Sequence, residues 1–431
     1  VTVYSRTEEF DGRLLAEKVT DERTKRQTRY ISYDGFDNLR ASALTKTGRV
    51  DGAEIDMRYF TTYTYLENGD MEYSYTYIAQ PGHAELEDIA EDEDNIAVKT
   101  HYSRDLMPSR ALLADYAIDM RTLRRTEYTS YDAYDNLAQS RDFKGYYTNY
   151  FYRINDDMER SVTFNNRPAS PDEGKYIDLD YYQHSPGAVS AVLYARADGT
   201  NIKGPENLLL AYKQYDLRVK DGQGFRITDY LEYNGFDNLI ESVDFKGYTT
   251  TYEYNASDDM VSSQTSDSTG TLRTITTYDR DWETGALLAR EAKDLLTDRT
   301  TEYIEYDERD NLIQSKDHKD NYTNYFYHKD INDPHIDDLA GSITYEGEVS
   351  IPEGNDVYAF KTAWQKAYYD SSDNAVSATY YDRDWESGAL LARKQEDLSI
   401  DYTDPGYKHY DVRGSDKRTT YYDKYLSLIH I

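Results

Sequence analysis

Carboxylates and histidines are the side chains here best suited to chemistry, and neither type falls into a catalytic spacing. The eight histidines (His83, His101, His184, His318, His328, His335, His409 and His430) are scattered. None has the short intervals of a zinc site, so they read as ordinary core or surface residues. There is no Ser/His/Asp arrangement, glycine-rich phosphate loop or nucleophile elbow. A chance pair of acids in so acidic a chain does not make a general acid and base. No enzymatic activity is expected.

Calcium is the one metal these acids suit. The run containing Asp92 and Asp94 (Glu91-Asp92-Glu93-Asp94-Asn95) and the repeated turns Asp156-Asp157 and Asp258-Asp259 supply hard oxygen ligands of the kind Ca²⁺ takes. Against this stands the lack of an EF-hand or nonapeptide spacing, which makes solvated turn carboxylates the plainer reading. No other cofactor is implied. Two N-glycosylation sequons begin at Asn255 and Asn321, one at a turn and one at a strand start, so glycans join the expected partners if the chain is secreted.

What must position these residues is a repeat. The texts Tyr33-Asp34-Gly35-Phe36-Asp37-Asn38-Leu39, Tyr131-Asp132-Ala133-Tyr134-Asp135-Asn136-Leu137, Tyr233-Asn234-Gly235-Phe236-Asp237-Asn238-Leu239 and Tyr306-Asp307-Glu308-Arg309-Asp310-Asn311-Leu312 are copies of one paragraph, and a frayed fifth starts at Tyr410. A Leu-Leu-Ala segment precedes each of the four full copies. From Ala16 to Tyr33, Ala114 to Tyr131 and Ala289 to Tyr306 the separation is 17 residues, while Ala211 lies 22 before Tyr233. Constant spacing in diverged text is what hairpin register demands, because a slip of one residue reverses every side chain.

After each turn comes a strand in which alternate residues are Tyr or Thr. Tyr63 and Tyr65 follow Thr61, Tyr150 and Tyr152 follow Thr148, Tyr252 and Tyr254 follow Thr250, and Tyr325 and Tyr327 follow Thr323. Period two places each set on one face of a strand, and stacked copies form a ladder of cross-strand pairs. Between copies lie the acidic stretch 85–95 and the proline-bearing stretches 165–174 and 328–355, which read as surface loops.

This pattern resembles the YD repeats of Rhs proteins, insecticidal toxin-complex shells and teneurins, whose turn reads Tyr-Asp-x-x-Gly-[Arg/Asn]-Leu. Tyr131-Asp132…Asn136-Leu137 with Asp142…Gly145…Thr148…Tyr150…Tyr152 fits it position by position, and Asp244…Gly247…Thr250…Tyr252…Tyr254 fits again. One departure is systematic: the family's turn glycine is Asp37, Asp135, Asp237 and Asp310 here, and only Gly414 keeps it. Aspartate tolerates a left-handed backbone better than most residues, so the turn is still expected. No core segment of the kind that closes the toxin-bearing members is matched. The resemblance implies a β-sheet of spiralling hairpins.

Composition sets the outer bounds. The formal net charge of −32 argues against nucleic acid and anionic membrane surfaces as partners. Mean hydropathy of −0.89 leaves no helical membrane span. There are 47 Tyr against 11 Phe, as suits thin layers in which rings lie close to water. With no cysteine, a disulfide framework is excluded. The chain starts at Val1 and so reads as processed or a fragment, and its apolar tail Leu426–Ile431 is unlike everything before it.

The expected fold is all-β: antiparallel hairpin repeats stacked into one continuous spiralling sheet of the YD-repeat type, with few or no helices. A single array is expected over 1–431, in units 1–98, 99–190, 191–277, 278–380 and an incomplete 381–431. The expected role is extracellular or cell-surface and structural. Without polar capping repeats, such a stack is expected to self-associate head to tail into a fibre. A fragment of an Rhs-type shell around a secreted toxin, or a carbohydrate-binding surface, are the alternatives.

Overall fold

A computed structural model describes residues 1–6, 12–24, 26–50, 53–79, 96–106, 109–177, 179, 186–220, 225–255, 258–281, 286–330, 333, 335–369, 374–383, 390–398 and 419–421. The chain divides into two compact units, Val1–Arg273 with Tyr278–Leu288, and Thr274–Thr277 with Ala289–Ile431. Both are antiparallel β-sheet in which each strand pairs with the next in sequence. In the first unit this pairing runs from Thr2–Ser5 to Met260–Ser266. In the second it runs from Leu287–Asp294 to Thr419–Tyr421. The all-β expectation holds.

The Tyr-Asp turns show why the copies agree. In the first, Asp34 Oδ1 accepts the amides of Phe36 (2.8 Å) and Asn38 (2.9 Å), the Asp37 amide donates to the Asp34 carbonyl (3.2 Å), and Asp37 sits at φ 68°. Asp132, Asn234 and Asp307 repeat these side-chain bonds, with Asp135, Asp237 and Asp310 at φ 65°, 73° and 63°. This is a type I turn closed by a left-handed bulge residue, the usual three-residue hairpin loop. Aspartate fills the family's glycine position in all four.

Beyond the turns, the two sheet faces differ. In Tyr147–Tyr152, Asn149 and Phe151 are buried while Thr148, Tyr150 and Tyr152 are half-buried on the opposite face. Asn321–Tyr327 repeats this with Asn324 and Phe326 buried. What covers the buried face is a segment inserted between hairpins. In the second repeat Ile177 and Leu179 pack on Phe151, Val162 and Phe164. In the fourth, Val349, Phe360 and Ala367 cover Phe326, Ile343 and Tyr345. The third repeat turns tightly at Asp267–Thr271 with no such segment, and there Thr251 and Glu253 stand exposed where the second and fourth repeats bury Asn and Phe. Apolar side chains occupy this face where an insert shields them from water.

One α-helix, Val357–Tyr369, lies among the described residues. Asp356 caps it, its Oδ1 accepting the Ala359 amide at 2.8 Å. Val357, Phe360, Ala363, Trp364 and Ala367 form the apolar stripe that a helix of this length buries. Phe360 lies 5.4 Å from Phe326 and edge-on to Tyr380 at 5.0 Å between ring centroids. It also lies flat over Gly341, where a Cβ would come within 2.3 Å of its ring. Gly341→Ala is therefore expected to push the helix off the sheet, costing about 1–3 kcal/mol, measured as a lower urea midpoint with altered Trp364 fluorescence.

Candidate functional site

Among the described residues, the polar side chains form a grid that recurs from repeat to repeat. Its first element is a phenol bonded to a neighbouring strand. The hydroxyls of Tyr33, Tyr131, Tyr233 and Tyr306 donate to the carbonyls of Ala16, Ala114, Ala211 and Ala289 at 2.8, 2.5, 2.5 and 2.6 Å. The constant 17-residue separation is thus one hydrogen bond. In the third repeat the same bond spans 22 residues because the intervening hairpin is longer.

The Tyr and Thr hydroxyls of the alternating strand make the second element. Tyr65, Tyr152, Tyr254 and Tyr327 donate to the carbonyls of Leu39, Leu137, Leu239 and Leu312 at 2.7, 3.0, 2.9 and 2.7 Å. Tyr63, Tyr150, Tyr252 and Tyr325 meet the hydroxyls of Ser42, Ser140, Ser242 and Ser315 at 3.2, 3.0, 3.1 and 2.9 Å. Register partners Thr148 and Thr163, Thr250 and Thr265, and Thr323 and Thr344 bond through their hydroxyls at 3.1, 3.1 and 3.0 Å. These hydroxyls are engaged within the sheet. Burial pushes the phenols of Tyr131 and Tyr152 up to about 12.

The third element, which sequence reasoning missed, is a carboxylate–guanidinium fork. Arg104 grips Asp70 at 2.7 and 2.8 Å, and Arg196 grips Asp157 at 2.5 and 2.7 Å. Arg280 holds Asp259 and Arg383 holds Asp338 in the same way. The arginine hydrogen bonds keep Asp70 and Asp157 below the usual carboxylate range. A signal was present: each acid directly precedes Met71, Met158, Met260 or Leu339, and each arginine ends a strand or directly follows one.

Among the described residues, the proposed calcium ligands are engaged in turns and ion pairs. Asp157 and Asp259 are each paired with an arginine, Asp156 and Asp258 are left-handed turn residues at φ 61° and 67°, and Asp258 is ion-paired with Arg26. Asp92 and Asp94 lie outside the described residues. Among the described residues, no group of three or more His, Asp or Glu is placed to hold a metal ion. At the sequons, Asn255 Oδ1 accepts the Asp259 amide at 3.0 Å, and Asn321 Nδ2, the atom a glycan would modify, donates to Asp317 at 2.9 Å.

A fourth element joins distant repeats of the first unit. Arg23, on the hairpin tip Asp21–Arg26, donates to the Gly235 carbonyl (2.6 Å) and forks onto Asp237 (2.5 and 2.6 Å), more than 210 residues away. Arg26 lies over the Phe236 ring at 5.7 Å. The first repeat thus seats on the third. The register pairs at this position alternate: Gln139 with Asn149 and Gln314 with Asn324 in the second and fourth repeats, but Ala41 with Thr62 and Glu241 with Thr251 in the first and third.

No family model and no curated protein matches this chain. Solved structures do. The TcdB2-TccC3-Cdc42 crystal structure is similar over 87% of this chain and 22% of that one, at 12% identity and TM-score 0.17. The Photorhabdus luminescens Tc holotoxin pore (TccC3 D651A) is similar over 92% and 26%, at 11% identity and TM-score 0.20. A porin-like protein from Bacteroides uniformis matches over 57% of this chain and 93% of that one, at 11% identity and TM-score 0.20. The chain spans 22–26% of the length of those toxin-complex chains.

Two expectations follow from the grid. Tyr131→Phe or Tyr152→Phe strands a carbonyl and is expected to cost about 0.5–1.5 kcal/mol, read as a shift in the urea midpoint. Because these phenols titrate above their unfolded value of 10.0, the unfolded chain binds fewer protons once pH passes that value. Stability is then expected to be intact below pH 10 and to fall as pH rises toward 12; denaturation midpoints that stay level across that interval would contradict it.

Proposed function

We propose that this chain is a non-enzymatic structural wall, a section of an Rhs-type spiral shell working outside the cell or at its surface. The observation that carries the reading is the seat of the first repeat on the third. A sheet that returns to itself after two repeats builds a curved wall by stacking its own turns, which a flat ribbon or a string of beads does not. The inserts add a second layer on one face, and the tyrosine hydroxyls on the other are spent on strand carbonyls and serines.

That use of the hydroxyls favours a holding role over sugar recognition. The cleft lined by Arg196, Asp198, Tyr212, Lys213, Asp229 and Tyr230, about 290 Å³ in volume, fits the same view. Its Lys213 pairs with Asp229 at 3.1 Å, and Asp198 accepts the amides of its own loop. A head-to-tail fibre is the rival structural arrangement. Negative-stain electron microscopy of the purified chain is expected to give short, curved particles, and long filaments would replace the shell reading with the fibre.

A further inference from the structure

The seat that receives Arg23 and Arg26 is built more than once. In the third repeat it consists of Phe236, Asp237 and Asp258, steadied by Asn238 Nδ2 donating to Asp258 Oδ1 at 3.4 Å. The second repeat builds the same seat from Tyr134, Asp135 and Asp156, with Asn136 Nδ2 donating to Asp156 Oδ1 at 3.4 Å. The left-handed turn residues agree as well: φ is 65° and 61° at Asp135 and Asp156, against 73° and 67° at Asp237 and Asp258. The first repeat offers a variant, Phe36 with Asp37, in which Arg13 already holds the carboxylate.

Cover distinguishes them. Under the arginine tip Phe236 is 40% exposed, and the Asp258 side chain 10%. Tyr134 is 79% exposed and Phe36 89%, and Ile154, two residues before Asp156, is wholly exposed. Ser109 Oγ donates to Asp135 at 2.9 Å, leaving the turn carboxylates of this seat without a guanidinium among the described contacts.

We propose that the turn edge of Tyr134, Asp135 and Asp156 is a docking surface for a β-hairpin tip of the Asp-x-Arg-x-x-Arg kind. The tip's first arginine forks onto Asp135 and its second lies over Tyr134 and against Asp156, as Arg23 and Arg26 do on the seat one repeat further on. The occupant is thus a preceding turn of the same repeat type. A second copy of this chain fits less well. Its Asp21–Arg26 tip is engaged, Arg124 of the Asp119–Arg124 tip lies over Phe143 at 5.1 Å, and the Asp294–Arg299 tip has Leu296 in place of the first arginine and adds Asp298. The proposal deepens the spiral-wall reading and rests on it for the order in which turns stack.

The test uses the full chain and, as probe, a backbone-cyclised peptide of residues 15–33 whose hairpin is verified by cross-strand nuclear Overhauser effects. Calorimetry is expected to show binding that weakens as salt rises. Affinity should drop at least about tenfold, or 1.4 kcal/mol, for the Tyr134→Ala/Asp135→Asn chain. It should vanish for the Arg23→Ala/Arg26→Ala peptide. Both substitutions in the chain lie at an exposed turn and keep residues that tolerate its backbone, and circular dichroism verifies their folding. Equal binding by the arginine-free peptide, or none by the parent peptide, overturns the proposal. So does sedimentation showing dimers that Tyr134→Ala abolishes, which would give the edge to a second copy. Short curved particles with no peptide binding would sink the docking edge alone, whereas filaments would sink the wall.

Discussion

A phenolic hydroxyl reaching a carbonyl on the neighbouring strand is the contact on which the rest of this molecule depends. Each such bond ties the end of one strand to the start of the strand paired with it, closing the open end of a hairpin, and it does so in every full repeat. Phenylalanine would fill the same volume but leave a half-buried carbonyl without a partner. This accounts for the preference for tyrosine in a thin sheet. The ring packs in the layer and the hydroxyl closes the backbone ledger at a point where the bulged register interrupts the ladder.

On that grid the two faces have separate histories. The Tyr/Thr face is nearly invariant from copy to copy because its hydrogen bonds are internal to the sheet. The opposite face changes with whatever covers it. Phe151 and Phe326 lie beneath inserts, and Asn149 and Asn324 donate to insert carbonyls at Ser170, Glu173 and Ser350. Glu253, in the repeat that lacks an insert, stands in solvent at the position of those phenylalanines. Covers and the residues beneath them come as matched sets.

Much of this was legible from residue order. The strands, their turns, the left-handed aspartates and the shared face of Tyr63, Tyr150, Tyr252 and Tyr325 all follow from periods of two and from recurring intervals. The helix Val357–Tyr369 was harder to see, since one amphipathic segment of 13 residues has no copy elsewhere to reinforce it. Reading Asp157 and Asp259 as oxygen ligands overlooked the arginines that answer them, which lie 39 and 21 residues away on strands whose proximity depends on the hairpins between them.

By itself, then, the order of residues determined the architecture of the sheet, because hairpin register is a short-range matter set by turn geometry and alternation. Only the tertiary structure decided which edge meets which. The seating of Arg23 on Asp237 depends on twist accumulated over more than a dozen strands, and no local period records that sum. The same physics hides the fate of the acids: an aspartate beside a guanidinium and one beside water have the same letter, and only folding brings the cation.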